Sequence, residues 1–150
     1  MRIRVATLIV LALAVPASAQ REPDPQDPLA SAKSVRCTFP TYAAVKWNGT
    51  AGEAIGGSQD FSFQINSFDF RRNRAQLVGT SETPVTLLVT PTGLNVIEQT
   101  LAGNLTVTTV FSGTSSGDGK TYLAVHSRHL GKDGDLPARA SQAYGTCQLQ

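Results

Sequence analysis

Both histidines of the chain lie in the segment TYLAVHSRHL, at positions 126 and 129, with Arg128 between them. Two imidazoles can share a metal ion or exchange protons, and an arginine can bind a carboxylate. The element that carries these residues decides which chemistry is possible. Residues three apart share one face of a helix, whereas successive residues of a strand alternate between its two faces.

The sequence around these residues predicts strands. In DFSFQINSF, Phe61, Phe63 and Ile65 alternate with polar residues, which is the period of a sheet with one wet face. No window shows a sustained helical stripe, and breaks rich in glycine or proline separate short apolar segments. One of these breaks is NGTAGEAIGGS. We predict eight strands, near residues 35–47, 60–69, 74–79, 84–90, 93–99, 104–111, 120–129 and 142–149.

Eight short strands in this order predict an all-β domain built as a single antiparallel meander. A closed barrel is favoured over a β-sandwich because closure removes the unpaired sheet edges. A disulfide between Cys37 and Cys147 would tie the first strand to the last. An immunoglobulin-like sandwich fits less well, because Cys147 lies too late in the chain for that pattern.

The N-terminal sequence predicts export. Residues 1–19 carry two arginines, a short apolar run and an Ala-Ser-Ala end, as a signal peptide does. The apolar run is too short to cross a bilayer, so no stable membrane anchor is expected. Residues 20–34 are proline-rich and predict a disordered leader, and residues 35–150 predict one β domain. We expect a periplasmic or secreted protein, in which the two cysteines form a structural disulfide.

Charge argues against two classes of partner. Cleavage of the signal peptide removes two arginines and leaves 11 basic and 11 acidic side chains. A mature chain without net charge lacks the electrostatic attraction that nucleic acids or anionic membrane surfaces require. We therefore predict neither as a partner.

The strand interpretation separates the candidate catalytic and metal-binding groups. His126 shares a face with Arg128, while His129 points the other way, so a common metal ion would require a bulge between them. Ser127 is adjacent to His126 and also faces away from it, and G-x-S-x-G is absent. Three carboxylates that could assist are Asp60, Asp69 and Glu98, and nothing in the sequence shows that they converge. We predict no catalytic residues, no bound metal and no cofactor.

Three further patterns have a functional and a structural interpretation. The cluster Arg71, Arg72 and Arg74 falls at a predicted turn, where it could bind an anion or simply be solvated. The segments GGSQD and KDGDLP have too few ligands for calcium loops. Asn48 and Asn104 each begin an N-glycan acceptor pattern, which matters only in a eukaryotic host.

Trp47 in the first strand and Arg128 in a late strand, behind an export signal, resemble the lipocalin pattern. That resemblance implies an up-and-down barrel in which the arginine stacks on the tryptophan. The family's Gly-x-Trp is replaced here by Val-Lys-Trp. The tail AVHSRHL…ASQAYGTC is similar to small exported bacterial proteins without a known activity, so it implies a class and a compartment only.

Together these observations predict a non-catalytic binding module for a small apolar or amphipathic ligand. Trp47, Tyr122, His126 and Arg128 are the candidate ligand-binding residues. The alternative is a structural or protein-interaction protein of the cell envelope with a solid core, and a metal-dependent hydrolase is the third hypothesis. Aromatic side chains can line a pocket or fill a core, and the alternation of residues does not distinguish these outcomes.

Overall fold

A computed structural model describes residues 27–79, 82–131 and 139–150. It contains eight strands and one short 3₁₀ helix, Pro28–Ser31. The strands are β1 (Val35–Asn48), β2 (Ala51–Asp69), β3 (Arg74–Val78), β4 (Glu82–Thr90), β5 (Gly93–Gln99), β6 (Leu105–Phe111), β7 (Thr121–Leu130) and β8 (Arg139–Leu149). Among the residues described, no helix has the length and apolarity needed to span a membrane.

The strands form one antiparallel meander. Each strand pairs with the next one along the chain, and β1 also pairs with β8, so the order of strands returns to its start. The predicted all-β meander of eight strands is confirmed. We call the end that contains Val35 and Leu149 the lower end, and the end that contains the Gly49–Thr50 turn the upper end.

The predicted strand boundaries agree with the structure to within three residues, except at the start of β2. There the prediction of a break at the glycine-rich segment was wrong, because residues 51–58 continue the strand and pair with β1 as far as Ala51. Glycine weakens a strand but is compatible with one, and here residues 51–58 are stabilised by backbone pairing with β1. From Ala51 to Phe63, β2 pairs with β1 alone among the described residues.

A two-residue turn closes this long hairpin. Gly49 has a φ of +61°, which suits the first central position of a type II′ turn. A Cβ at Gly49 would meet no atom within 4 Å, so the requirement is one of backbone conformation rather than space. The turn lets the hairpin extend beyond the last residue pair between β1 and β8, Ala44 and Ser141.

A bulge near Pro40 bends β1 midway. The register of β1 shifts against both neighbours there, between Thr38 and Thr41 on the β8 side. Proline cannot donate to a ladder, which is why it is found at bulges and edges. Opposite the bulge stands Gly145, where a Cβ would overlap the backbone carbonyl of Thr38. A side chain at this position would therefore push β8 away from β1.

The core fills the lower part of the sheet. Val35, Phe39, Ile65 and Val110 have no exposed surface. Cys37 and Cys147 are also fully buried, stand directly opposite one another on β1 and β8, and form a disulfide, as predicted. The bond therefore fastens the first strand of the meander to the last. A buried disulfide is compatible with an oxidising compartment.

The end of the predicted leader contains the 3₁₀ helix Pro28–Ser31. Asp27 accepts a hydrogen bond from the backbone N–H of Leu29 at 2.9 Å and caps the 3₁₀ helix. Leu29 is only 3% exposed and packs with the core at the lower end. The composition of the leader suggested no core residue, yet this one leucine buries enough apolar surface to anchor the segment.

The loop between β6 and β7 is held by one carboxylate. Asp118 accepts hydrogen bonds from the Ser116 hydroxyl, from the backbone N–H groups of Lys120 and Thr121, and from the Thr121 hydroxyl. These bonds hold the pKa of Asp118 well below its usual range. The residue therefore has a structural role at a hairpin loop.

Candidate functional site

The strand register defines rows of inward-facing residues across the sheet, because directly paired residues share a face. We call one of these rows, which spans six of the eight strands, the upper row. It runs from β2 through β1, β8, β7 and β6 to β5, and consists of Ile55, Ala44, Ser141, Arg128, Thr106 and Glu98. None of these six side chains is buried. The interior is therefore open to solvent at this level.

The next row down, which we call the middle row, is mostly sealed. On β8, β7, β6 and β5 it contains Ala143, His126, Thr108 and Val96, which are 6%, 6%, 4% and 3% exposed. On these four strands, the inward side chain thus changes from not buried to buried between one inward position and the next. Below the middle row, described residues fill the interior, and above it a ligand could reach the inner face.

His126 lies at this boundary and, with Tyr122, is one of the two buried titratable side chains in the described core. Its Nδ1 shares a hydrogen bond with the Thr108 hydroxyl at 2.9 Å. Three phenylalanine rings surround the imidazole, Phe39, Phe61 and Phe63, with centroids 5.7, 5.2 and 5.2 Å away. Burial, and to a lesser degree the positive charge of Arg128, lowers the pKa of His126 from 6.5 to about 4. The ring is therefore neutral at physiological pH.

The two histidines lie on opposite faces of β7, as the strand pattern predicted. His126 faces inward, while His129 is exposed and lines an outer groove with Ala43 and Val45. The pairing of β7 with β8 is continuous from Thr121 to Leu130, so no bulge brings the two imidazoles together. Within the described residues, no group of three or more His, Cys, Asp or Glu side chains could hold a metal ion.

The remaining catalytic candidates also stay apart. Ser127 and His126 are neighbours in one strand and face in opposite directions. Asp69 lies at the lower end beside the β2–β3 turn, whereas Glu98 belongs to the upper row. The Glu98 carboxylate accepts a hydrogen bond from the Thr106 hydroxyl at 3.0 Å. No pair of these groups has the geometry of a general acid and base acting on one bond.

Trp47 and Arg128, two of the four predicted ligand-binding residues, line one cleft at the upper end. This upper cleft has a volume of about 340 Å³. Its other lining residues are Ala44, Val45, Lys46, Ile55, Leu130, Arg139, Ala140 and Ser141. The long β1–β2 hairpin forms one wall, and the ends of β7 and β8 form the other. Trp47 is 43% exposed and Ile55 is 39% exposed, so apolar surface is accessible to a ligand there.

Tyr122 is not part of the upper cleft. It lies two inward positions below His126 on β7, is 2% exposed, and donates a long hydrogen bond of 3.4 Å to the Gly119 carbonyl. Burial, together with the charges of Asp27 and Asp118, raises its pKa. Tyr122 therefore belongs to the packed lower core. An aromatic residue in a strand gives no sequence signal that distinguishes one end of the sheet from the other.

Three residues of the cleft were missed by sequence reasoning. Ile55 was hidden in the glycine-rich segment that was predicted as a break, and Leu130 and Arg139 lie at strand ends just outside the predicted bounds. Residues 51–55 contain too few large apolar side chains for their alternation to predict a strand without other evidence. Pairing it with β1 by the Asn-Gly turn at positions 48 and 49 is the signal that could have found it.

The other patterns lie elsewhere. Arg71 and Arg72 stand in the β2–β3 turn at the lower end, where the Arg72 guanidinium is 3.5 Å from the Asp69 carboxylate on the surface. The segment GGSQD is part of β2, which is incompatible with a calcium loop, and most of KDGDLP falls outside the described residues. Asn48 is exposed at the hairpin, whereas the Asn104 side chain accepts a hydrogen bond from the Gly131 backbone.

The chain matches no known family model, no curated protein and no solved structure. The resemblance to lipocalins therefore stays a prediction, as does the similarity to small exported bacterial proteins. Trp47 and Arg128 line the same cleft, and no cation–π contact joins them in the described part of the chain.

Proposed function

We propose that this chain is an exported, non-catalytic binding protein for a small amphipathic ligand, which it holds in the upper cleft. In this proposal the cyclic sheet is a closed, lipocalin-like barrel that acts as a rigid frame, and the protein works in the periplasm or after secretion. The ligand enters beside the β1–β2 hairpin and rests above the middle row, without penetrating the packed core.

The observation that carries the proposal is the composition of the upper cleft. Ile55 and Leu130 supply apolar surface beside the charged groups of Arg128 and Arg139, and Trp47, which alternates onto the outward face of β1, lines the edge of the cleft. Small-molecule sites combine apolar walls with a few convergent polar groups and usually enclose about 300 to 1,000 Å³. At about 340 Å³ the upper cleft lies at the small end of that range.

The position of the cleft in the fold supports the same function. The middle row lies one inward position below the cleft, and there His126 is held neutral and hydrogen-bonded to Thr108. Phe39 and Phe63 pack against this histidine, so the structure beneath the cleft moves little when a ligand binds. A rigid site loses less conformational entropy on binding, which favours affinity for a small molecule.

The experiment is a fluorescence titration of the purified protein with two probes, N-phenyl-1-naphthylamine and 8-anilinonaphthalene-1-sulfonate. They share an apolar skeleton and differ in one sulfonate. Trp47 is the single tryptophan of the chain and lines the cleft, so energy transfer from Trp47 to a probe reports binding at this site. We expect saturable transfer with at least one probe.

A matched pair of variants locates the bound probe. Ile55→Asn changes the cleft wall, and Leu123→Asn makes the same polar change at an outer position that is 55% exposed. We expect Ile55→Asn to weaken binding roughly tenfold, and Leu123→Asn to leave it unchanged. The proposal fails if neither probe binds, or if both variants weaken binding equally.

A protein-interaction role is the second candidate, and the outer face of β7 and β8 favours it. Leu123 and Tyr144 are 55% and 41% exposed there, close to Val125, which pairs directly with Tyr144. A photo-crosslinking amino acid placed at Leu123, in cells that make the protein, would give a discrete larger adduct if a partner covers this face. The same amino acid at Ile55 would give that adduct only if the partner also covers the cleft.

A further inference from the structure

The two arginines of the upper cleft project from adjacent positions of the same inward face. Arg128 on β7 pairs directly with Ser141 on β8, and Arg139 lies two residues before Ser141 on that strand. Such diagonal neighbours are about 7 to 8 Å apart at the backbone. Both guanidinium groups can therefore reach one small anionic group between them.

The positive charge of the cleft is set by the described residues that line it, and none of them is acidic. In the described ranges the one ion pair joins Arg72 and Asp69 at the lower end, so it involves neither Arg128 nor Arg139. The cleft thus concentrates positive charge in a mature chain that carries equal numbers of basic and acidic side chains.

Two inward-facing carboxylates of the described residues lie near the upper end. Glu98 lies two strands from Arg128, with Thr106 between them, and accepts the hydrogen bond from the Thr106 hydroxyl. Glu53 stands directly opposite Lys46 in the hairpin. Among the described residues, neither carboxylate forms an ion pair with Arg128 or Arg139.

From this arrangement we infer that the ligand is an amphipathic anion, with its carboxylate or equivalent oxyanion bound between Arg128 and Arg139. Its apolar part lies against Ile55, Leu130 and Trp47. Guanidinium groups bind oxyanions through paired, charge-assisted hydrogen bonds, which fix the orientation of the ligand as well as its charge. This inference rests on the proposed function and names the class of ligand for the same cleft.

The test compares the two probes, because only 8-anilinonaphthalene-1-sulfonate carries an oxyanion. We expect the sulfonate to bind roughly tenfold or more tightly than N-phenyl-1-naphthylamine. Arg128→Gln and Arg139→Gln should each weaken sulfonate binding roughly tenfold and leave the neutral probe unchanged. Arg72→Gln is the matched control at the lower end and should change neither affinity. Added salt should weaken sulfonate binding only.

The outcomes separate this inference from the proposed function. If neither probe transfers energy from Trp47, the proposed function is wrong. If both probes bind equally and the two cleft arginine variants have no effect, the upper cleft is a binding site but its ligand is not an anion. If Arg72→Gln weakens sulfonate binding as much as Arg128→Gln does, the sulfonate responds to overall charge and the inference is also overturned. Circular dichroism of each variant checks that the fold is retained.

Discussion

The lower and upper ends of this molecule are made from the same eight strands but differ in what fills them. At the lower end Phe39, Ile65 and Val110 are fully buried, a disulfide joins the first and last strands, and Leu29 packs against the core. At the upper end the inward row is exposed, and two arginines line an open cleft. Packing and the disulfide are therefore concentrated below, and the proposed binding site lies above.

The inward positions of the upper end include small and charged side chains. On β1 the inward residue changes from Phe39 below the bulge to Ala44 in the upper row, and on β7 it changes from Tyr122 in the core to Arg128. Small side chains leave space between the strands and charged groups stay in water, so the upper end is open. Natural binding proteins commonly place their sites where packing, and hence local stability, is weakest.

Removing the disulfide should give the largest effect on stability. Cys37 and Cys147 are 110 positions apart, and closing a loop of that length stabilises the fold by about 4 to 5 kcal/mol on a chain-entropy model. We expect the double variant Cys37→Ala with Cys147→Ala to lose about that much unfolding free energy in urea titrations. A replacement disulfide at the directly paired Ala43 and Gln142 should recover most of the loss. An unchanged unfolding free energy would contradict this role of the bond.

The second prediction compares one side chain from each end. Phe39→Ala removes a fully buried ring and should cost about 3 to 5 kcal/mol, because it leaves a cavity in the lower core. Ile55→Ala removes apolar atoms from a residue that is 39% exposed and should cost less than about 1 kcal/mol. Chemical denaturation of both variants measures the difference. Equal losses would show that the upper end is also part of the packed core.

The third prediction concerns pH and the boundary between the two ends. His126 has a pKa of about 4 in the folded protein and 6.5 in the unfolded chain, so the unfolded chain binds more protons between these values. Stability is therefore full above pH 6.5, falls as the pH decreases towards 4, and has lost about 3 kcal/mol below that. Urea titrations across this window measure the loss.

Two variants isolate the contribution of His126. His126→Gln removes the titrating group and should flatten the stability profile between pH 6.5 and 4. His129→Gln, at an exposed position on the opposite face of β7, should leave the profile of the parent protein intact. If the two variants give the same profile, the imidazole of His126 is not the group that responds to acid.

The smallest predicted effect lies at the tip of the hairpin. Gly49→Ala places a side chain on a residue with a φ of +61° and should cost about 1 kcal/mol. Gly49→Asn should cost less, because asparagine tolerates this conformation better. Gly117→Ala has neither a positive φ nor an atom within 4 Å of the new Cβ, and should change thermal stability little. If Gly49→Ala left the thermal stability unchanged, the turn would have to accommodate alanine in another backbone conformation.

Much of the fold could be predicted from the sequence, because alternation and turn residues are local signals. Phe61, Phe63 and Ile65 face inward as their spacing indicated, and His126 and His129 separate for the same reason. The pairing of Cys37 with Cys147 followed from having two cysteines in a chain with an export signal. Each of these inferences needs only neighbouring residues or a count.

The cleft could be predicted only in part, because it depends on register. Trp47 and Arg128 come from opposite parts of the chain, and the register that sets Arg128 opposite Ser141 and Ala44 cannot be read from either strand alone. Tyr122 shows the same limit. The alternation of residues predicted that Tyr122 faces inward. Whether an inward residue lies in the packed core or in the open upper end depends on how far up the strands the core extends.

The closing pair of strands has one more consequence. Val35 and Leu149 are paired, and the backbone N–H of Gln150 donates to the Ser34 carbonyl, so the first and last strands meet at the lower end. A linker, label or solid support attached after Gln150 would therefore stand opposite the arginines. Attachment at that residue would leave the proposed binding cleft facing away from the support.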